Sequence, residues 1–204
     1  ILAAPQAETG TLLLAATWEP RPGVPHPAAG TVLAFATDAQ ADVLRTALPN
    51  RRVVSVAAGT GFACLGPDRF AIDPANPDDH RRLLTEAAPG ADATLVLLWG
   101  LEPPRPAVSL SATLGMLDPE TGPRALFLAA QAVLLAPDAG VTRILYAGPD
   151  TPPTRAAAAL ARTVGLESSR LSCAAVTLDT PDLALVAREI GFAPDAPDVL
   201  WRDG

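Results

Sequence analysis

The sequence predicts an α/β domain built on a doubly wound, mostly parallel sheet with helices on both faces. Three observations carry that prediction. Segments of strand character and segments of helical periodicity alternate along nearly the whole chain, which is the signature of successive βαβ units. Ala93–Trp99 (ATLVLLW) and Leu171–Leu178 are apolar on both of their alternating faces, as strands covered on both sides must be. The run Asp150–Asp179 reads as a helix feeding directly into the second of these strands, half of a parallel unit.

Each element has a local cause. Thr11–Trp18 is apolar and strand-like, and the Pro/Gly-rich run to Gly30 is a loop. Thr31–Ala36 is a short buried strand. Asp38 caps a helix whose inner face is Ala41, Val43, Leu44 and Leu48, and Arg52–Ala57 is the next strand. Gly59–Gly66 and Arg69–Ile72 form a turn and hairpin. Asn76-Pro77-Asp78-Asp79 opens a helix with a cap, a proline at the first position and two carboxylates at the positive dipole end; Leu83, Leu84 and Ala87 turn inward. After the Ala93–Trp99 strand, Glu102–Gly122 changes to Pro, Ser, Thr and Gly, an irregular excursion. Pro123–Leu135 is a long apolar helix and Thr142–Ala147 a strand. The helix from Pro152 to Leu166, with Thr151 as its side-chain cap, lays a small apolar face of Ala156, Ala159, Leu160, Thr163 and Val164 on the sheet. Pro181–Gly191 is a further helix stopped by Gly191, and Asp198–Trp201 a last strand.

Composition excludes several classes. At 204 residues, 49% hydrophobic and 18% charged, the chain is long enough for a substantial core, with no apolar stretch of membrane-spanning length. Its net charge of −7 argues against nucleic acid or an anionic membrane as the main partner. All 15 basic residues are arginine. The missing lysine removes Schiff bases, Walker phosphate loops and the Tyr/Lys pair of reductases. Cys64 and Cys173 form no disulfide framework, which favours a reduced, cytoplasmic setting. The start at Ile1 and the stop at Trp201-Arg202-Asp203-Gly204 suggest a piece of something longer.

Candidate chemistry is thin. Gly59-Thr60-Gly61-Phe62-Ala63-Cys64-Leu65-Gly66 follows a strand, yet Cys64 stands where a small residue lets helix approach strand, and a Gly-Pro-Asp turn follows instead of a helix N-terminus. Tyr146 has Asp150 four residues on, where a catalytic Tyr-x-x-x-Lys pair carries lysine; it is a core or rim tyrosine. His26 and His80 lack partners at metal-ligand spacing and take surface or capping roles. Ser109 and Ser111 sit in no Gly-x-Ser-x-Gly elbow. Cys173 in mid-strand and Cys64 in a hairpin read as inert packing.

Taken in order, several segments resemble the ketoreductase region of modular polyketide synthases, and within it the N-terminal structural subdomain. Leu14-Ala15-Ala16-Thr17-Trp18-Glu19-Pro20 resembles the strand ending in Trp-x-Pro that begins this subdomain. Phe70–Pro74 with Asp78–Leu84, and Leu97–Gly100, resemble motifs of modules served by separate acyltransferases (trans-acyltransferase systems). Ala157–Glu167 running to Val176–Asp179 is similar to the helix and strand near the subdomain's end, and Val199–Gly204 to its exit.

The resemblance implies a truncated Rossmann-like, short-chain-dehydrogenase-like fold over residues 1–204, with 1–30 as leading strand plus loop and 102–122 as excursion. It implies a scaffold packed against a catalytic ketoreductase subdomain that binds NADPH and carries Ser, Tyr and Lys, or a pseudo-ketoreductase kept for architecture. This chain then holds no catalytic, cofactor-binding or metal residue, and NADPH belongs to the catalytic half of the parent. Its partners are neighbouring domains of a cytoplasmic, homodimeric bacterial megasynthase of antibiotic-type polyketide biosynthesis. Two other readings stay open: a small stand-alone α/β enzyme with Ser109 or Ser111 beside Asp118 or Glu120 in the excursion, and a dimerisation or docking module of a multienzyme.

Overall fold

The computed structural model describes residues 17–20, 22–25, 30–88, 92–101, 122–194 and 196–202. The predicted first strand lies mostly outside these, and the predicted excursion almost wholly so. The described elements are β1 (Thr31–Phe35), α1 (Asp38–Ala47), β2 (Arg52–Ala58), β3 (Ala63–Gly66), β4 (Arg69–Ile72), α2 (Pro77–Ala87), β5 (Ala93–Leu97), α3 (Pro123–Leu135), β6 (Val141–Pro149), α4 (Pro152–Glu167), β7 (Ser172–Leu178), α5 (Leu183–Ile190) and β8 (Asp198–Trp201), with short 3-10 turns at Trp99–Leu101 and Pro137–Ala139. They form one eight-stranded sheet in the order β3-β4-β2-β1-β5-β6-β7-β8. All neighbours are parallel except the β3–β4 hairpin. The predicted doubly wound sheet is therefore the observed one.

Successive residues of a strand point to opposite faces, and here both faces are covered. Leu33, Phe35, Val54, Leu95, Ile144 and Tyr146 pack under α2, α3 and α4. Val32, Ala34, Val53, Val96, Leu145 and Val176 pack under α1 and α5. This division makes one crossover unusual. The chain steps from β6 to β7 to β8 in a single direction across the sheet, yet α4 lies on one face and α5 on the other. The two connections therefore have opposite hands. With the others right-handed, as such connections overwhelmingly are, the α5 crossover is left-handed.

A buried arginine holds that helix. Arg143, near the start of β6, donates from Nη1 to the carbonyls of Glu189 (3.0 Å) and Phe192 (2.8 Å), and from Nη2 to the Glu189 carboxylate (2.9 Å). Arg51 donates to the carbonyl of Ile190 at 3.1 Å. The last carbonyls of a helix lack intrahelical partners and carry its negative dipole end, so two guanidinium groups are well matched to them.

Several expectations need correction. The cap of α1 is Thr37, not Asp38: Thr37 Oγ1 accepts from the Gln40 amide and the Gln40 side chain accepts from the Thr37 amide, a full capping box. Val43, expected inward, is exposed. Thr151 precedes α4 but makes no side-chain cap; its hydroxyl donates to the carbonyl of Pro149. α5 begins at Leu183, capped by Asp182, two residues later than Pro181. The strand from Ala93 ends at Leu97, and Trp99 already lies in a 3-10 turn.

The largest correction concerns α4. Its buried residues are Thr154, Ala157, Ala158, Ala161 and Val164. Of the predicted face only Val164 is buried; Ala159 and Thr163 are exposed, and Ala156 and Leu160 half-buried. Gly148 explains the rotation. A Cβ there would sit 2.4 Å from Thr154 Oγ1, so the glycine opens a place in β6 into which Thr154 turns. α2 follows its sequence: Asn76 caps it, Pro77 opens it, and Leu83, Leu84 and Ala87 are buried.

Candidate functional site

Open α/β sheets bind ligands beyond the carboxyl ends of their strands, where the strand order reverses. Here β1 is flanked by β2 on one side and β5 on the other, so the switch point lies between β1 and β5. Short contacts close it. The Leu98 amide donates to the Phe35 carbonyl at 2.9 Å and the Ala36 amide to the Val56 carbonyl at 3.0 Å. The Phe35 ring at the end of β1 stacks on His80 from α2 (5.8 Å between centroids) and meets the edge of Trp99 after β5 (5.1 Å). Gly100 is required by close approach: a Cβ there would stand 2.6 Å from Tyr146 Oη and 2.9 Å from the Ala147 carbonyl.

Doubly wound sheets that bind a dinucleotide hold it at this point, and the β1–α1 turn can be tested against that group. A pyrophosphate seat needs a glycine-rich turn and free amides at the helix start. The turn reads Ala36-Thr37-Asp38. Thr37 and Gln40 occupy each other's amides. Asp38 places a carboxylate in the first helical turn and pairs with Arg69 of β4. These residues do not fit a pyrophosphate. The other glycine-containing stretch, Gly59–Gly66, leads into β3, and the Gly59 amide is taken by the Ile72 carbonyl at 2.7 Å.

The residues singled out in the sequence do not converge. Tyr146 lies inside β6 and is 1% exposed, a core tyrosine. Asp150 is exposed at the foot of α4 and binds Arg155 through two contacts of 2.9 and 3.2 Å, which hold its carboxyl below the usual range. Cys173 is buried, and burial pushes its thiol up to about 12, far from reactivity. Cys64 is exposed on β3, not buried packing.

His80, expected in a surface or capping role, is 1% exposed. Its Nε2 contacts the Pro74 carbonyl at 3.1 Å, while Nδ1 is buried without a partner. Burial lowers its pKa, against the opposing pull of the Pro74 contact and of Asp79 and Asp73. His26, Ser109, Ser111, Asp118 and Glu120 lie outside the described residues. Among the described residues, no three potential metal ligands cluster. No described helix is long and apolar enough to cross a membrane.

Two surfaces escaped the sequence reading. One is a groove of about 530 Å³ lined by β8, by Trp18, Glu19, Pro20, Pro22 and Gly23, and by Phe192. The other is the outer side of the adjacent helices α3 and α4, which exposes Phe127, Leu134, Leu135 and Leu166. The first three fall at positions i, i+7 and i+8 on one face of α3.

Strand order, two helical layers and a switch point closed by side chains define a Rossmann-like unit of short-chain dehydrogenase type. By sequence, the chain belongs to the beta-ketoacyl synthase-like, N-terminal family, whose model matches residues 30–188. Among solved structures it is similar to a keto acid-selecting NRPS module with adenylation, ketoreductase and pseudo Asub domains, at 18% identity and TM-score 0.72, covering 89% of this chain and 17% of that one. It is similar to an N-terminal ketoreductase from the macrolactin assembly line, at 18% identity and TM-score 0.66, covering 90% and 40%. A short-chain dehydrogenase from Burkholderia cenocepacia in complex with NADP matches at 14% identity and TM-score 0.55, covering 84% and 87%. The chain thus spans less than half the length of the first two. At these identities the likeness is one of fold. No curated protein matches the chain. Family and fold together fit the structural subdomain of an assembly-line ketoreductase.

Proposed function

We propose that this chain is the non-catalytic structural half of a ketoreductase region in a polyketide-type assembly line, and that it binds no NADP(H) of its own. The observation that supports this reading is the β1–α1 turn, where Thr37 and Gln40 cap each other and Asp38 adds a negative charge at the place a pyrophosphate would need. The catalytic tyrosine and lysine of a reductase have no counterpart: Tyr146 is buried in β6 and the chain contains no lysine. What remains for such a unit is support. Its partner is a catalytic ketoreductase subdomain of the same megasynthase, which supplies NADPH and the reacting groups. The exposed apolar face of α3 and α4 is the surface offered to it.

The test is titration of the full chain with NADPH, followed by fluorescence and calorimetry, together with an assay on a β-ketoacyl thioester. No saturable binding and no turnover are expected. Saturable binding, or thioester-dependent oxidation of NADPH, would overturn the reading. Docking is tested separately by titrating the chain with a ketoreductase catalytic half: Phe127→Asp with Leu134→Asp is expected to abolish association while leaving the melting temperature near its original value.

A further inference from the structure

We infer that the groove beside β8 is a strand-addition site for one extended peptide segment carrying a basic side chain. The backbone of β8 sets the geometry. Ala175 donates its amide to the Pro197 carbonyl and Asp179 to the Trp201 carbonyl, in a parallel register that pairs Ala175 with Asp198 and Leu178 with Trp201. Along a strand the backbone groups of successive residues point to alternate sides. Val199 and Trp201 therefore turn theirs toward β7, while Asp198 and Leu200 turn their N–H and C=O outward. β8 is the last strand of the described sheet, so this row of donors and acceptors faces the groove. Such an edge is a template for one more strand.

A second observation points the same way. The indole Nε1 of Trp201 is buried and has no hydrogen-bond partner, although an indole nitrogen is a donor in need of an acceptor. A peptide seated on β8 that displaces the side chains packed on this ring, Phe192 and Arg188, brings a carbonyl within its reach. Trp18, Glu19, Pro20, Pro22 and Gly23 form the other wall, and the adjoining Val24 is anchored where its carbonyl accepts from the Ala193 amide at 2.8 Å. The walled shape admits a single extended segment and obstructs a flat edge-to-edge dimer. A chain with net charge −7 also repels its own copy.

Charge selects the occupant. Of the charged residues in the lining, Glu189 is paired with Arg143, Asp198 with Arg162 and Arg202 with Asp179. Glu19 has no ion-pair partner among the described residues, and a basic side chain on the incoming segment matches it. The occupant is thus an extended, β-prone stretch of another polypeptide with one arginine or lysine, laid along the four residues of β8.

The experiment uses the full chain, labelled with nitrogen-15, and the probe peptide acetyl-Val-Arg-Val-Thr-Val-amide. Saturable shifts are expected at the Trp201 indole N–H and at the amides of Asp198 and Leu200. Leu200→Pro removes an outward N–H that β7 does not use; it is expected to weaken binding about tenfold with the fold retained. Glu19→Gln, or glutamate in place of the peptide's arginine, is expected to weaken it up to about fivefold. If Leu200→Pro fails to fold, the Glu19→Gln arm and the Trp201 shift decide the matter alone. Absence of saturable shifts, shifts confined to other surfaces, or affinity unchanged in both variants would overturn the proposal. So would concentration-dependent self-association that disappears in Leu200→Pro, which would assign the groove to a second copy. None of these outcomes depends on whether the chain binds NADPH.

Discussion

The switch point and the β8 groove stand at two places where an α/β sheet can receive something, and the chain treats them oppositely. At the switch point the described side chains are turned on their neighbours, Phe35 on His80 and Trp99, Thr37 on Gln40 and Asp38 on Arg69, with His80 Nδ1 the one buried nitrogen among them left without a partner. At β8 stand the edge of the described sheet, a buried indole nitrogen without a partner and a groove of about 530 Å³. The difference teaches that a fold shared with cofactor-binding enzymes fixes where a site can be, while side chains decide whether one exists.

This contrast can be broken or sharpened by substitution. The largest effect is expected under the groove. Arg143→Ala takes a guanidinium away from the buried Glu189 carboxylate and from the Glu189 and Phe192 carbonyls, leaving Arg51 to cap the end of α5, at a cost of about 3–5 kcal/mol. Urea denaturation measures it. A loss under 1 kcal/mol would mean that α5 is held by its apolar face alone.

At the switch point, Gly100→Ala drives a methyl against Tyr146 Oη and the Ala147 carbonyl, and about 1–3 kcal/mol should be lost. If this variant keeps its stability, the closure there is looser than its contacts indicate. Ala161→Phe, on the buried side of α4, should cost a similar ~1–3 kcal/mol. Ala159→Phe, on its exposed side, should stay within about 0.5 kcal/mol of the parent. Reversal of that order would return α4 to the orientation suggested by its sequence.

A smaller effect is expected from pH. Burial depresses the pKa of His80 in the folded state below 6.5. Between 6.5 and that lower value the unfolded chain takes up a proton that the folded chain does not. The stability contributed by neutral His80 is therefore complete above 6.5 and falls as pH drops through this window. Midpoints of urea unfolding recorded on either side of pH 6.5 should show the decline, and His80→Phe should flatten it. An equal decline in that variant would place the titrating group elsewhere.

Much of the fold was legible because local chemistry agrees with tertiary packing. Asn76-Pro77-Asp78-Asp79 states the start of α2, and unbroken apolar runs state β5 and β7. The rotation of α4 was not legible. Alanine at 156–159 and 161 carries no phase, and the decisive fit of Thr154 against Gly148 is made in three dimensions. Nor could periodicity say on which layer α5 lies, since an amphipathic helix fits either face.

For the candidate site, the sequence shows only which residue types are at hand. The lack of a glycine turn after β1 and of any lysine could be read from the sequence. The residues that fill the switch point could not be grouped beforehand, because Phe35, His80 and Trp99 belong to three separate segments. Trp18, Phe192 and Trp201 escaped for the same reason.

The left-handed step to α5 also bears on how the molecule opens. α5 and β8 form a flap at one edge of the described sheet, tied down by β7, by packing on α1 and by the guanidinium groups of Arg143 and Arg51. Excursions from the native state should begin at this flap, so that amides of β8 exchange with solvent deuterium well before those of β1 or β6.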